Sequence, residues 1–279
     1  MSDHNELDIG FIGGGNMAQA IIRGLLKAGH TATQISVMDP ATDQRNTITG
    51  INDSINVTDD SVGLANRCEL LVLAVKPQVM ADVAVTLSKL NRPAQQTIVS
   101  VAAGITLESL QGWFGETASL VRVMPNQPAL VGEGMSGLCA TPTVDAAGRS
   151  AADYLMAATG KAVWFDDEDL MDAVTAISGS GPAYFYLVME ILQDVAGEFG
   201  FTEDIARLLS TQTALGAATV ATQGSNDLAT LRQQVTSPGG TTAAALAALE
   251  DGGIRDIFRN ALNAARNRSI ELGQLNNES

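Results

Sequence analysis

The feature that most constrains the fold is a strand that turns into a helix through glycine. An apolar run, Leu7 to Ile12, passes without a linker into Gly13-Gly14-Gly15-Asn16-Met17-Ala18 and then into Ala20-Ile21-Ile22-x-x-Leu25-Leu26, a helical spacing that ends at Gly29. Gly13 permits the tight turn, Gly15 leaves the backbone open to a pyrophosphate, and Ala18 takes the third small position, where helix packs on strand. Ile12 and Gly14 complete the turn. The backbone N–H groups of Asn16 and Met17 then stand at a helix N-terminus, where anions bind. An ordinary Gly-rich turn is the plain alternative, and what precedes and follows the motif decides between them.

The first part of the chain supplies the context a dinucleotide site needs. Strands are predicted over Leu7 to Ile12, Gln34 to Met38, Leu70 to Val75, Thr97 to Ala102, Leu120 to Met124, Met135 to Ala140 and Ala162 to Phe165, alternating with amphipathic stretches. Runs such as Leu70-Leu71-Val72-Leu73-Ala74-Val75 are apolar throughout, as strands covered on both faces by helices must be. The pattern predicts an α/β fold with a parallel, doubly wound, Rossmann-type sheet over residues 1–165. After Trp164-Phe165 the acidic turn Asp166-Asp167-Glu168-Asp169 opens a different texture, rich in Ala and Leu. Helices are predicted over Glu168 to Ser178, Pro182 to Phe199, Thr202 to Gln223, Asp227 to Val235, Thr241 to Asp251 and Ile254 to Leu272, with Gly200 and Gly273 as C-caps. Residues 166–279 thus read as an all-helical domain. Its Ala-rich faces bury little area per residue and call for a partner, which predicts self-association; a monomeric bundle is the alternative.

Composition removes several function classes. The chain has 279 residues, 31 acidic and 16 basic, for a net charge of −15, which repels nucleic acid and anionic membrane surfaces. Charged residues are 17% of the total, below the roughly 25% usual in soluble domains, in keeping with surface hidden in an oligomer. Cys68 and Cys139 have no CxxC spacing, so neither a metal site nor a disulfide framework is expected. The only histidines are His4 and His30, which makes histidine catalysis improbable. No apolar run reaches membrane-spanning length, and Met1 to Asp8 carries Asp3, Glu6 and Asp8 where a secretory leader has basic and apolar residues. A cytoplasmic protein is expected.

Three further segments complete the candidate coenzyme site. Asp39 ends the second strand, 21 residues past Ala18, where a carboxylate accepts hydrogen bonds from the adenosine ribose hydroxyls. That favours NADH, because a 2′-phosphate is repelled by up to about 4 kcal/mol at roughly 4 Å and an effective dielectric near 20, unless Arg45 or loop N–H groups intervene. Ala74-Val75-Lys76-Pro77 ends another strand where such sheets reach toward the nicotinamide ribose, and Ala102-Ala103-Gly104 has side chains small enough to floor a flat ring. In the helical half, Ser178-Gly179-Ser180-Gly181-Pro182 and Ser237-Pro238-Gly239-Gly240-Thr241-Thr242 each lead into a helix, and the second offers an anion nest for a small carboxylate. Asp39, Lys76, Ser237, Thr242 and Glu168 also have plain readings, as turn, cap or surface residues.

The ordered set Gly13-x-Gly15-Asn16-Met17-Ala18, Ala74-Val75-Lys76-Pro77, Ala102-Ala103-Gly104, Arg122-Val123-Met124-Pro125-Asn126, Ser178 to Tyr184 and Val235 to Glu250 resembles the pyrroline-5-carboxylate reductases nearly end to end. The resemblance implies reduction of L-1-pyrroline-5-carboxylate to L-proline with NADPH or NADH, by subunits paired through swapped helical domains and commonly assembled into decamers. Carried over by position, Ser237, Gly239, Gly240, Thr241 and Thr242 would hold the substrate carboxylate, and the Thr242 hydroxyl would meet the ring nitrogen as the catalytic residue. Glu168 matches a position that can approach the substrate from a neighbouring subunit. Asp39 departs from relatives that prefer NADPH. The rival enzyme class is the β-hydroxyacid dehydrogenases, whose catalytic lysine and following asparagine would fall at Phe185 and Met189. Without either polar group that chemistry has no base. A non-enzymatic nucleotide sensor has no use for the Ser237 to Thr242 turn.

Overall fold

A computed structural model describes residues 4–90, 93 and 95–277. Eight strands, β1 Ile9–Ile12, β2 Ile35–Met38, β3 Asn56–Thr58, β4 Leu70–Leu73, β5 Thr97–Ser100, β6 Ser119–Met124, β7 Gly134–Ala140 and β8 Gly160–Trp164, form one sheet in the order β3-β2-β1-β4-β5-β6-β7-β8. Helices α1 Asn16–Lys27, α2 Thr42–Ile51, α3 Ser61–Ala65, α4 Met80–Ser88, α5 Leu107–Phe114, α6 Ala146–Ala157 and α7 Leu170–Val174 lie between and after the strands. Alternate strand residues face opposite ways. Phe11, Val72, Val99 and Val121 pack with Ile21, Ile22 and Leu25 of α1 and Leu155 of α6, while Ile12, Leu71, Leu73 and Ile98 pack with Met80 and Leu87 of α4 and Leu110 of α5. All these side chains are essentially inaccessible. Each contributes about 1.5–3 kcal/mol by burial, which is why the apolar runs become strands with two covered faces.

The sheet departs from the expected all-parallel form at β7, which pairs antiparallel with β6 while β8 runs parallel to β7. Residues 125–133 between β6 and β7 hold only a 3₁₀ turn, Gln127–Val131. A parallel crossover needs a dozen residues or more, so the chain returns directly. The short strand β3 was not anticipated. Asn-Val-Thr has no apolar run, and its pairing with β2 makes it a strand. The strand expected over Leu70 to Val75 stops at Leu73, and after one last bond from Ala74 N to Ile12 O at 2.8 Å the chain leaves the sheet.

Internal contacts divide the chain into two units, residues 1–180 with 265–279, and residues 181–264. The change in sequence texture falls earlier, at 165–166. The second unit contains α8 Gly181–Glu198, α9 Glu203–Gln223, α10 Leu228–Gln234, α11 Thr241–Asp251 and the first part of α12 Ile254–Asn277. Gly200 takes φ +94° after α8, as a C-cap glycine does, and Phe201 N donates to Ala196 O across it. Gly273 is different. It lies inside α12, which continues to Asn277, and an added Cβ there would meet Thr106 Cγ2 and Gly104 O at the ordinary contact distances of 3.9 and 4.0 Å, so it is not a helix end. The single helix expected over Glu168 to Ser178 is α7 followed by a π-helical turn, Thr175–Gly179. Among the described residues, no helix is long and apolar enough to cross a membrane.

Candidate active site

Strand register gathers the predicted coenzyme residues at one edge of the sheet. Ile12 is level with Met38 of β2 and Leu73 of β4, and Leu73 is level with Ser100 of β5. The residues that follow each strand, Gly13, Asp39, Ala74 to Pro77 and Ala102 to Gly104, therefore leave the sheet on the same side. The order β2-β1-β4 places a topological switch point at β1, where doubly wound sheets open a crevice beyond their strand ends. A cleft of about 470 Å³ opens there, lined by Gly13, Gly15, Asp39, Gln44, Asp59 and Lys76 among others.

The glycines divide the work. Gly13 has φ +100°, and a Cβ on it would stand 2.6 Å from Ala74 O, so only glycine lets β1 turn against the end of β4. Gly15 is the N-cap of α1, with ordinary extended angles and nothing within 4 Å of an added Cβ. Open space over the first N–H groups of α1, which have no partner inside the helix, is the cradle a pyrophosphate needs. Ala18 is fully buried against the sheet, as the third small position requires.

Asp39 has two jobs. Its Oδ2 accepts from Gly14 N at 2.9 Å and its Oδ1 from Ala41 N at 2.9 Å, so the carboxylate locks the glycine turn to the end of β2. Arg45 Nη1 donates to the carbonyls of Asp39 and Pro40 at 2.7 and 2.9 Å and Nη2 to Thr42 Oγ1 at 3.1 Å. The guanidinium is thereby committed to this turn. Gln19 Nε2, which sequence reading missed, donates to Gly14 O at 2.9 Å and to Gln44 Oε1 at 3.3 Å. Asp59 was missed with β3, whose end it follows. Two carboxylates thus line the cleft that Lys76 also lines, and Lys76 is exposed there.

A smaller cavity of about 310 Å³ lies beyond β5, lined by Ala103, Gly104, Thr175, Ser180, Arg268 and Ser269 among others. Gly104 takes φ +73°. Ser269 Oγ donates to Asp172 Oδ1 at 2.6 Å, fastening the last part of α12 to α7.

Glu168 is occupied within its own unit. Its Oε1 accepts from Arg122 Nη1 at 2.7 Å and from Leu107 N at 2.8 Å. The carboxylate therefore neutralises a buried guanidinium and sits at the positive end of α5. Arg122, which the sequence shows only as the first residue of a motif, finds its acid 46 positions away.

The second unit holds the other predicted residues together on one turn. Gly239 has φ +70°, Gly240 N donates to Ser237 O at 3.0 Å, and Gly240 is the N-cap of α11. Its glycine N-cap has no side chain to offer, so among the described residues no side chain caps the helix, and the backbone N–H groups at its start, Thr241, Thr242 and Ala243, have no partner inside it. Ser237 and Thr241 are exposed and Thr242 half-buried. The coenzyme residues and the Ser237 to Thr242 turn thus belong to different units.

Comparison with known proteins bears on what this arrangement serves. Residues 168–272 match the family model for pyrroline-5-carboxylate reductase dimerisation, and residues 8–104 match that for NADP oxidoreductase, coenzyme F420-dependent. A pyrroline-5-carboxylate reductase of Pseudomonas aeruginosa is 45% identical over 266 residues, 95% of this chain and 97% of that protein. A solved pyrroline-5-carboxylate reductase from Coxiella burnetii superposes with a TM-score of 0.91 at 39% identity, covering 96% of this chain and 98% of that one. The Plasmodium falciparum pyrroline carboxylate reductase, solved with NADP bound, superposes at 0.84 with 28% identity, covering 96% and 99%. The likeness runs through both halves of the molecule, the glycine-cradled cleft and the helical part alike, and the chain belongs to the pyrroline-5-carboxylate reductase family.

Proposed function

We propose that the family's reaction, the NAD(P)H-dependent reduction of L-1-pyrroline-5-carboxylate to L-proline, is carried out in this chain by the Ser237 to Thr242 turn and the cleft beyond β1, β4 and β5. The observation that carries this assignment is the uncapped start of α11, where Gly239 and Gly240 leave consecutive main-chain donors without a partner inside the helix. In a protein of net charge −15, such a nest supplies local attraction for a small carboxylate without a basic side chain.

The coenzyme, when bound, supplies the hydride. Gly13 to Ala18 hold its pyrophosphate, with Gly15 giving the close approach, and Ala102, Ala103 and Gly104 leave room for the nicotinamide beside Ala74, Val75, Lys76 and Pro77. Ser237, Gly239, Gly240 and Thr241 fix the substrate carboxylate. The Thr242 hydroxyl meets the ring nitrogen and orients the imine. A cyclic imine enters already protonated and electrophilic, so no strong general acid is needed. This agrees with a chain whose two histidines, His4 and His30, lie outside the cleft and the turn. Most of the acceleration comes from positioning, which is worth about 7–11 kcal/mol at best when two reactants are held in register.

Asp39 and Asp59 on the cleft support NADH as the better coenzyme, since both carboxylates oppose a 2′-phosphate. Self-association is part of the proposal. Phe185, Leu187 and Ile191 of α8 and Leu208, Leu215 and Val220 of α9 are 53–68% exposed within one chain. Burying each is worth about 1.5–3 kcal/mol, which supports exchange of the helical unit between two subunits, with five such dimers forming a decamer. A small-molecule substrate rather than a polyanion, and a place in the cytoplasm, complete the reading. The test is to follow reduced-nicotinamide absorbance with pyrroline-5-carboxylate and matched NADH and NADPH, and to weigh the particle by light scattering against a 29.0 kDa chain. Oxidation of both coenzymes, faster with NADH, in a particle of dimer mass or a multiple is the expected result; no oxidation overturns the assignment.

A further inference from the structure

Asn126 stands at an N-cap and does not cap. It precedes the 3₁₀ turn Gln127–Val131 with extended backbone, φ −132° and ψ 168°, and its side chain makes no bond to that turn, although asparagine is among the preferred residues there because it normally does. Both ends of the carboxamide are spent elsewhere. Nδ2 donates to Ser178 O at 3.2 Å and Ser178 Oγ at 3.3 Å, while Oδ1 accepts from Met135 N at 2.9 Å. Ser178 Oγ in turn donates to Met135 O at 3.4 Å, closing a ring of bonds between three separate stretches of chain.

Ser178 lies inside the π-helical turn Thr175–Gly179, whose last bond runs from Ser180 N to Thr175 O at 2.8 Å. Turns of this width are rare and concentrate at functional sites. This one is held from outside as well as within. Met124, at the end of β6, fills the space beside Gly179 so closely that an added Cβ would stand 2.5 Å from Met124 Cε. The two residues joined by the closing bond, Thr175 and Ser180, both line the 310 Å³ cavity that Ala103 and Gly104 also line.

We infer that Asn126 is a positioning residue for hydride transfer. By tying Ser178 to the start of β7 it sets where Thr175 and Ser180 stand, and these form part of the wall of the cavity at the nicotinamide end of the cleft. The inference rests on the reading above that Ala102 to Gly104 floor the nicotinamide. Asn126 touches no reacting atom; it acts through the π turn. Its loss therefore lowers turnover while leaving the pyrophosphate cradle, at Gly13 to Ala18, undisturbed.

The experiment compares the full-length wild-type enzyme with N126A and N126D. For N126A, kcat falls about tenfold or more, as displacements of an ångström in a reacting geometry cost, while the Kd for NADH and NADPH stays within about twofold. N126D keeps the acceptor for Met135 N and loses the donor to Ser178, which a protonated acid restores. Its kcat, relative to wild type, therefore rises as pH falls through the carboxyl titration. A purely structural role moves thermal stability and active fraction and cannot produce that pH profile. Unchanged kcat in N126A, equal losses in kcat and coenzyme affinity, or an N126D profile parallel to wild type overturns the inference. Should N126A fail to fold, the N126D profile decides alone. A wild-type enzyme that turns over no pyrroline-5-carboxylate removes the functional reading itself, and the inference with it; an active wild type with an indifferent N126A removes only the inference.

Discussion

Gly13 and Gly15 differ by two positions, and substituting each with alanine should break different things. At Gly13 the backbone is left-handed, φ +100°, which costs an L-residue about 1–2 kcal/mol. The new methyl group would also press on main-chain atoms, 2.6 Å from Ala74 O and 2.9 Å from Ala74 C, and overpacking that no side-chain rotation can relieve costs about 1–3 kcal/mol more. A total of roughly 2–5 kcal/mol corresponds to a fall in Tm of about 4–20 °C for a unit of this size. At Gly15 the angles, φ −70° and ψ −175°, suit any residue, and no atom lies within 4 Å of the added carbon. The folded protein loses at most about 1 kcal/mol, the cost of alanine at an N-cap. The space the methyl fills is the space a pyrophosphate requires. Losing one charge-assisted hydrogen bond, about 1.5–3 kcal/mol, weakens coenzyme binding by roughly 10- to 150-fold. Thermal melts and titrations of nicotinamide fluorescence on the two variants measure both effects. A Gly15→Ala protein that binds coenzyme as tightly as wild type, or a Gly13→Ala protein that melts with it, would refute the division of labour between the two glycines.

Other consequences are as direct. Asp39→Asn removes a charge from a half-exposed position; screening cuts the full repulsion of about 4 kcal/mol to something near 1.4 kcal/mol, so the ratio of kcat/KM with NADPH to that with NADH should rise about tenfold, and a ratio that does not move would clear Asp39 of any part in coenzyme choice. Thr242→Ala should lower kcat about tenfold or more while coenzyme Kd stays constant, as expected for a group that stabilises the reacting nitrogen; equal turnover removes Thr242 from the mechanism. His30 is buried, and its Nδ1 stands 3.0 Å from Tyr154 Oη, which gives its proton to Asn5 Oδ1. Burial holds the imidazole below its ordinary value. The unfolded chain therefore takes up the proton first as pH falls through about 6.5, and stability present above that pH is lost below it. The Tm of His30→Gln should decline less than that of wild type between about pH 7.5 and 5.5, and parallel curves would show that His30 does not carry the dependence.

Much of the coenzyme half is local information and so can be read from the chain. An apolar strand, glycines at its end and a helical spacing after them prescribe a strand-turn-helix wherever they occur, and Asp39, Ala74 to Pro77 and Ala102 to Gly104 follow because each ends a strand that its own residues favour. Steric freedom at Gly13 and Gly15 is likewise a property of the residue type. Other features depend on what lies far away in sequence. Asn56 to Thr58 becomes a strand only because β2 offers a free edge. The direction of β7 follows from a connection too short to cross the sheet. Gly273, which looks like a helix terminator, lies inside α12, which runs on to Asn277 beside Gly104 and Thr106. A π turn at Thr175–Gly179 stands where ordinary helix was expected, with Asn126 and Met124 against it from distant stretches, and Glu168 finds Arg122 and the start of α5 rather than open solvent. Backbone propensities act over a few residues and set the elements. Hydrogen bonds and close packing between distant stretches act only once the chain has folded, and they decided which polar side chains became braces of the site.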